Sequence, residues 1–181
     1  MNEPYLSRLA RISTFIFDVD GVLTDGSVTL LPTGDQVRNM NVKDGYALQL
    51  AIKLGYRIAI ISGGKSEAVR QRLNGLGVQD VHLGASDKLE VFDEYLLTWD
   101  LKADNILYMG DDLPDYQVLS RVGLAACPLD AAEEIKSICH YISPAEGGTG
   151  CVRDVIEKAL RVQGKWFDPS VHGKKLDEFK W

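Results

Sequence analysis

The chain has 181 residues, 45% hydrophobic and 25% charged, enough for one globular domain with a sizeable core. Its formal charge of −6 argues against nucleic acid or an anionic membrane as the main partner. No apolar run approaches the length of a membrane span, and the opening "MNEPYLSRLARI" lacks the apolar core of a signal peptide. Cys127, Cys139 and Cys151 form no C-x-x-C and are an odd number, so they read as reduced thiols of a cytoplasmic protein.

Strand and helix signals alternate along the chain. Residues 12–18 form a first buried strand, and 27–42 a hairpin turning at Pro32-Thr33-Gly34-Asp35. A helix over 44–55 begins on an Asp and ends on a Gly. The near-continuous apolar run 56–62 predicts a strand buried on both faces. Then follow a helix (65–77), a short strand (80–85), a helix (87–100) and a strand running into a loop (105–112). A helix with Pro in its first turn comes next (114–123). The strand "LAACP", the helix "DAAEEIKSIC" and a last strand "HYISP" lead to the Gly-rich hinge and helix of 147–162. Residues 164–181 read as a tail after a single domain spanning 1–163.

This order predicts an α/β fold: a Rossmann-like, doubly wound, mostly parallel sheet with helices on both faces and a protruding hairpin. In such sheets ligands bind beyond the carboxyl ends of the strands. Asp18 and Asp20 follow the first strand, Ser62-Gly63-Gly64 the second, Lys88 the third, and Gly110-Asp111-Asp112 with Asp115 the fourth. All four sets fall on one edge and can converge.

Carboxylates gathered in a small volume require a cation, and Mg²⁺ suits oxygen ligands and phosphate. Asp18 and Asp111 are expected as direct ligands with the Asp20 carbonyl, and Asp112 and Asp115 outside them, holding waters and Lys88. Ser62, Gly63 and the helix start beyond them offer a hydroxyl and free N–H groups to an anion. Lys88 adds a positive charge. Residues i and i+2 of an extended chain point the same way. Asp18 can therefore attack phosphorus while Asp20 moves the proton. A lone D-x-D, Ser-Gly or Lys is unremarkable; the full set in order at successive strand ends is not.

The set resembles the haloacid dehalogenase superfamily of phosphatases, in "DVDGVLTD" (18–25), Ser62 of "IISGG", Lys88 of "GASDK" and "GDDLPD" (110–115). The resemblance implies Asp18 as nucleophile, Asp20 as acid/base, Ser62 and Lys88 as phosphate ligands, and Mg²⁺ held by Asp18, Asp20 and Asp111. "NVKDGYAL" (41–48) and "GGTGCVRDVIEKAL" (147–160) further resemble the capless subgroup that dephosphorylates 3-deoxy-D-manno-octulosonate 8-phosphate (KDO 8-phosphate). Close relatives act on nonulosonate 9-phosphates. The intervals Asp25–Ser62 and Ser62–Lys88 are each too short for a cap domain. The resemblance also implies a homotetramer whose hairpins associate, and Val28, Leu30, Leu31 and Val37 give this hairpin an apolar character.

The hinge and helix of 147–162 are expected to reach a neighbour's site, with Arg153 a candidate for the sugar carboxylate there. That subgroup commonly carries an arginine after the Ser/Thr-Gly pair; this chain has Gly64, which leaves Lys65, Lys43, Arg70 or Arg153 to supply the cation. A phosphoacceptor signalling domain shares the residue types. Its acidic pair precedes the acceptor strand, however, whereas here Asp111-Asp112 comes last.

Overall fold

A computed structural model describes residues 3–167. Helix α1 (Tyr5–Leu9) leads into β1 (Thr14–Phe17), and a small antiparallel hairpin follows, β2 (Thr29–Leu30) with β3 (Gln36–Val37). Then come α2 (Val42–Lys53), β4 (Arg57–Ser62), α3 (Glu67–Gly75), β5 (Asp80–Leu83), α4 (Lys88–Trp99) and β6 (Ile106–Met109). The described residues continue through α5 (Tyr116–Leu119), β7 (Leu124–Cys127), α6 (Glu133–Ile138), β8 (Tyr141–Ile142) and α7 (Cys151–Val162).

The main sheet has six strands in the order β5-β4-β1-β6-β7-β8, and every pairing is parallel. Strand β1 is central because all four of its residues are apolar or small and buried on both faces. Its period-two alternation splits the core. Phe15 and Phe17 pack on one side with residues of α2, α3 and α7, and Ile16 packs on the other with residues of α4, α5 and α6. The chain moves outward from β1 through β4 to β5, then returns to β6 on the other side of β1. That reversal opens a cleft at the carboxyl ends of β1, β4 and β6.

Several boundaries differ from expectation. Helix α2 starts at Val42, with the Asn41 side chain accepting from Lys43 N–H, and not at Asp44. Asp44 serves another helix: its Oδ1 accepts the Arg153 N–H at 2.6 Å, in the first turn of α7, whose own cap position is Gly150 and has no side chain to offer. The expected helix 114–123 is a 3₁₀ turn (Leu113–Asp115) and the single turn α5. Helix α1 was not anticipated. Between Asp25 and Ser62 lie only the hairpin and α2, and between Ser62 and Lys88 only α3 and β5, so neither interval holds a lid domain. Within the expected tail, Trp166 packs back on the core; residues 168–181 lie outside the described part.

Candidate active site

A cleft of about 910 Å³ opens at the carboxyl edge of the sheet, and Asp18, Asp20, Ser62, Lys88, Asp111 and Asp115 all line it. Each stands at a strand end or on the turn or helix start that follows one. Asp18 follows β1 and is fastened to β6 by its N–H donating to the Met109 carbonyl (3.0 Å). Ser62 is the last residue of β4, and Lys88 the first of α4, after Asp87 caps that helix by accepting from Leu89 and Glu90 N–H. Gly21 stands directly beneath Asp111 with φ +82°; a Cβ there would collide with the Asp111 carboxylate, so this turn requires glycine.

Lys88 is the hub. Its Nζ donates to Asp18 Oδ2 and to Asp115 Oδ1, each at 2.7 Å. Its side chain is 6% exposed, and that of Asp115 1%. Asp115 also accepts the Tyr108 hydroxyl (2.6 Å) and the Asp111 N–H (3.3 Å). Oxygens of Asp18, Asp111 and Asp115 lie within 4.8 Å of one another. Burial, then the charge of Asp115, pushes the Asp18 carboxyl up to about 6 against the pull of Lys88. Burial, then Asp18 and Asp115, pushes Asp111 up to about 7. Burial works against the Lys88 ammonium, yet the charges of Asp18 and Asp115 hold its pKa above the ordinary value. One ammonium does not neutralise three carboxylates. The oxygen donors, their mutual proximity and the surplus negative charge fit a hard divalent cation.

Ser62 is buried, and its Oγ accepts the Gly64 N–H at 3.2 Å, shaping the turn that brings Gly63 and Gly64 to the cleft wall. Asp112 also lines the cleft, but its carboxylate caps the 3₁₀ turn by accepting Leu113 N–H; Asp115 alone of that pair holds Lys88. Asp20 accepts from Arg38, Nε to Oδ1 at 2.5 Å and Nη2 to Oδ2 at 3.2 Å, while Lys88 donates to Asp18 and Asp115.

Arg153 does not line this cleft. Its Nε donates to Glu157 at 2.8 Å, and its guanidinium lies 4.3 Å over the Trp166 ring and 5.4 Å from that of Tyr46. Packing between α7 and the chain after it draws the side chain there. Two residues at the site were not anticipated. Tyr108 had a sequence signal, a phenol inside a buried strand that needs a partner. Arg38 had none, since nothing in sequence ties a hairpin arginine to the D-x-D aspartate.

This fold with this site defines a phosphatase of the haloacid dehalogenase superfamily. No protein-family model matches the chain. Among curated proteins it is 36% identical over 163 residues to the 3-deoxy-D-manno-octulosonate 8-phosphate phosphatase KdsC of Yersinia pestis, covering 90% of this chain and 87% of that one. A crystal structure of that phosphatase from Yersinia pestis superposes with a TM-score of 0.87 at 35% identity, covering 89% of this chain and 87% of the other. The Moraxella catarrhalis phosphatase, solved with magnesium, phosphate and KDO, gives a TM-score of 0.87 at 28% identity over 97% of each chain. The chain belongs to the 3-deoxy-D-manno-octulosonate 8-phosphate phosphatase (KdsC) family.

Proposed function

We propose that the chain is a Mg²⁺-dependent phosphomonoester hydrolase that converts KDO 8-phosphate to KDO and inorganic phosphate through a phosphorylated Asp18. The observation that carries this reading is Lys88 bridging Asp18 and Asp115 beside Asp111 at the carboxyl edge of the sheet. Asp18 and Asp111 would hold Mg²⁺ with the backbone carbonyl of Asp20. Bound there, the metal supplies the charge that neutralises the phosphoryl oxygens and keeps Asp18 ionised.

The protein's own groups do the rest. A phosphate in the cleft meets the Ser62 hydroxyl, the N–H groups at Gly63 and the Lys88 ammonium. Phosphoryl transfer depends on such positioning and charge neutralisation. A carboxylate oxygen of Asp18 attacks phosphorus, the bond to the sugar oxygen breaks, and Asp20 gives that oxygen a proton. In the second half Asp20 takes a proton from water, the water oxygen attacks phosphorus, and phosphate leaves as the Asp18 carboxylate is restored. Lys88, held by Asp115, remains on the transferring group throughout.

Gly64 keeps a second substrate in view, a nonulosonate 9-phosphate, because the arginine common at this position in KDO 8-phosphate phosphatases is missing. Self-association through the hairpin would cover this open cleft, over which the described residues place no lid domain. A cytoplasmic setting agrees with three cysteines that form no disulfide. The test is a panel of sugar phosphates with phosphate release as readout, with and without chelator. KDO 8-phosphate is expected to show the highest kcat/KM, and activity is expected to require Mg²⁺. Asp18→Asn is expected to lose at least ~10³-fold. A higher kcat/KM for a nonulosonate 9-phosphate would transfer the assignment to that substrate. Turnover surviving in Asp18→Asn would remove the nucleophile.

A further inference from the structure

We propose that Arg38 is the positioning residue for Asp20, reaching it from the hairpin through the space that Gly64 leaves open. This rests on the acid/base role assigned to Asp20 above. Arg38 follows β3, where neighbouring side chains are exposed, yet its own side chain is 8% exposed. Few arginines of a protruding hairpin are buried without a specific partner. Here the partner is Asp20, held at both oxygens, and Gln36 Oε1 accepts from Nη2 at 3.3 Å on the other side.

Two contacts to one carboxylate fix its plane as well as its place, which a single point charge does not. Asp20 needs that constraint, because the proton it moves goes first to the sugar oxygen and then comes from water. Lys88 donates to Asp18 and Asp115, and the side-chain hydrogen bonds to Asp20 come from Arg38. Misplacing a catalytic group by about an ångström costs on the order of 10²-fold.

Gly64 explains how the guanidinium fits. A Cβ built on Gly64 would stand 3.2 Å from Asp20 Oδ2 and 3.7 Å from Arg38 Nη2. Any longer side chain at 64 would contend with the guanidinium for Asp20. The absent side chain and the inserted arginine are thus one arrangement: the cation beside Asp20 comes from the hairpin. None of Lys65, Lys43, Arg70 or Arg153 occupies this position.

The leaving group tests this. The alkoxide of a sugar needs a proton as it departs, whereas p-nitrophenolate does not. Arg38→Met is expected to slow the first turnover of KDO 8-phosphate by ~10–100-fold. The same variant is expected to release its first equivalent of p-nitrophenolate from p-nitrophenyl phosphate at close to the unmodified rate, as a burst ahead of a slowed steady state. Arg38→Lys, which keeps charge but not the fork, is expected to fall between and serves if Arg38→Met does not fold. Loss by the same factor on both substrates would overturn the proposal, as would a raised KM for the sugar phosphate with kcat unchanged. Asp20→Asn, measured alongside, separates the two levels. If it shows the leaving-group pattern and Arg38→Met does not, Arg38 alone loses its role. If Asp20→Asn itself shows no such pattern, the acid/base reading falls.

Discussion

Asp111 illustrates the conflict built into the site. Its carboxyl is pushed up to about 7, and that of Asp18 to about 6, from ordinary values near 3.8. Unfolding releases both to the ordinary value, so between about pH 4 and pH 7 the folded protein retains protons that the unfolded chain has lost. Metal-free stability therefore falls as pH rises through this window. We expect metal-free Asp111→Asn to melt a few degrees above the unmodified protein at pH 7.5, the gain shrinking toward pH 5, with turnover lost. Mg²⁺ should raise the melting temperature of the unmodified protein at pH 7.5 far more than that of Asp111→Asn. A thermal melt series over pH checks both, and a gain independent of pH would refute the cause assigned here. At this scale the sequence is readable where chemistry sits at a strand end: Asp18, Ser62, Lys88 and Asp111 each stand one or a few residues beyond an apolar run. Arg38 is unreadable because its role depends on how the hairpin folds back onto the D-x-D turn, and Asp112 and Asp115 cannot be told apart until the 3₁₀ turn aims one inward and the other at a backbone N–H.

At the scale of elements, strands buried on both faces announced themselves, because parallel strands under two helical layers have no polar face to interrupt the apolar run. Two short helices, α1 and α5, did not. Helix α5 is a single turn following a 3₁₀ turn, and propensity has little force over four residues. Asp44 resembled a helix start but is spent on the N-terminus of α7, a contact 109 positions apart in the chain. The loop before α7 also shapes the site from a distance. Gly147 N–H donates to Asp130 Oδ1 (2.9 Å), Gly148 N–H to the Val22 carbonyl (3.0 Å), and a Cβ on Gly147 would run into the Gly21 carbonyl. The 147–150 loop is thus seated on the turn that carries Asp20 and supports Asp111. Gly147→Ala should cost about 1–3 kcal/mol through overpacking and lower kcat by ~10-fold or more by shifting that turn. Gly75→Ala supplies the contrast. It lies at the end of α3 with open space around it, and should leave kcat unchanged while stability holds or rises by a few tenths of a kcal/mol. Equal kcat in the two variants would show that the loop does not support the site.

On the scale of the whole molecule, the hairpin is the feature the described fold leaves unsatisfied. Val28, Leu30, Leu31 and Val37 are all exposed, Leu30 at 73%. The hairpin pairs only two residues on each strand, and a two-stranded ribbon of that size is marginal in water. It nevertheless has to hold Arg38 against Asp20. An apolar surface on a weak element is stabilised when a second copy covers it, and a two-fold contact of hairpin on hairpin would present the same residues from both sides. Such a contact would order the turn beside the cleft as well as shield it, so assembly and turnover should be linked. Leu30→Asp places a charge at the most exposed of these positions without touching any residue of the cleft. It should lower the mass measured by light scattering at micromolar concentration and reduce kcat/KM for the sugar phosphate by ~10-fold or more, since the carboxylate would have to be buried unpaired in the contact. Raising the protein concentration should recover part of both, because association follows mass action. An unmodified protein that is monomeric in the same experiment, or a Leu30→Asp variant that associates as the unmodified protein does, would show that the hairpin orders itself and that the cleft acts without a neighbour.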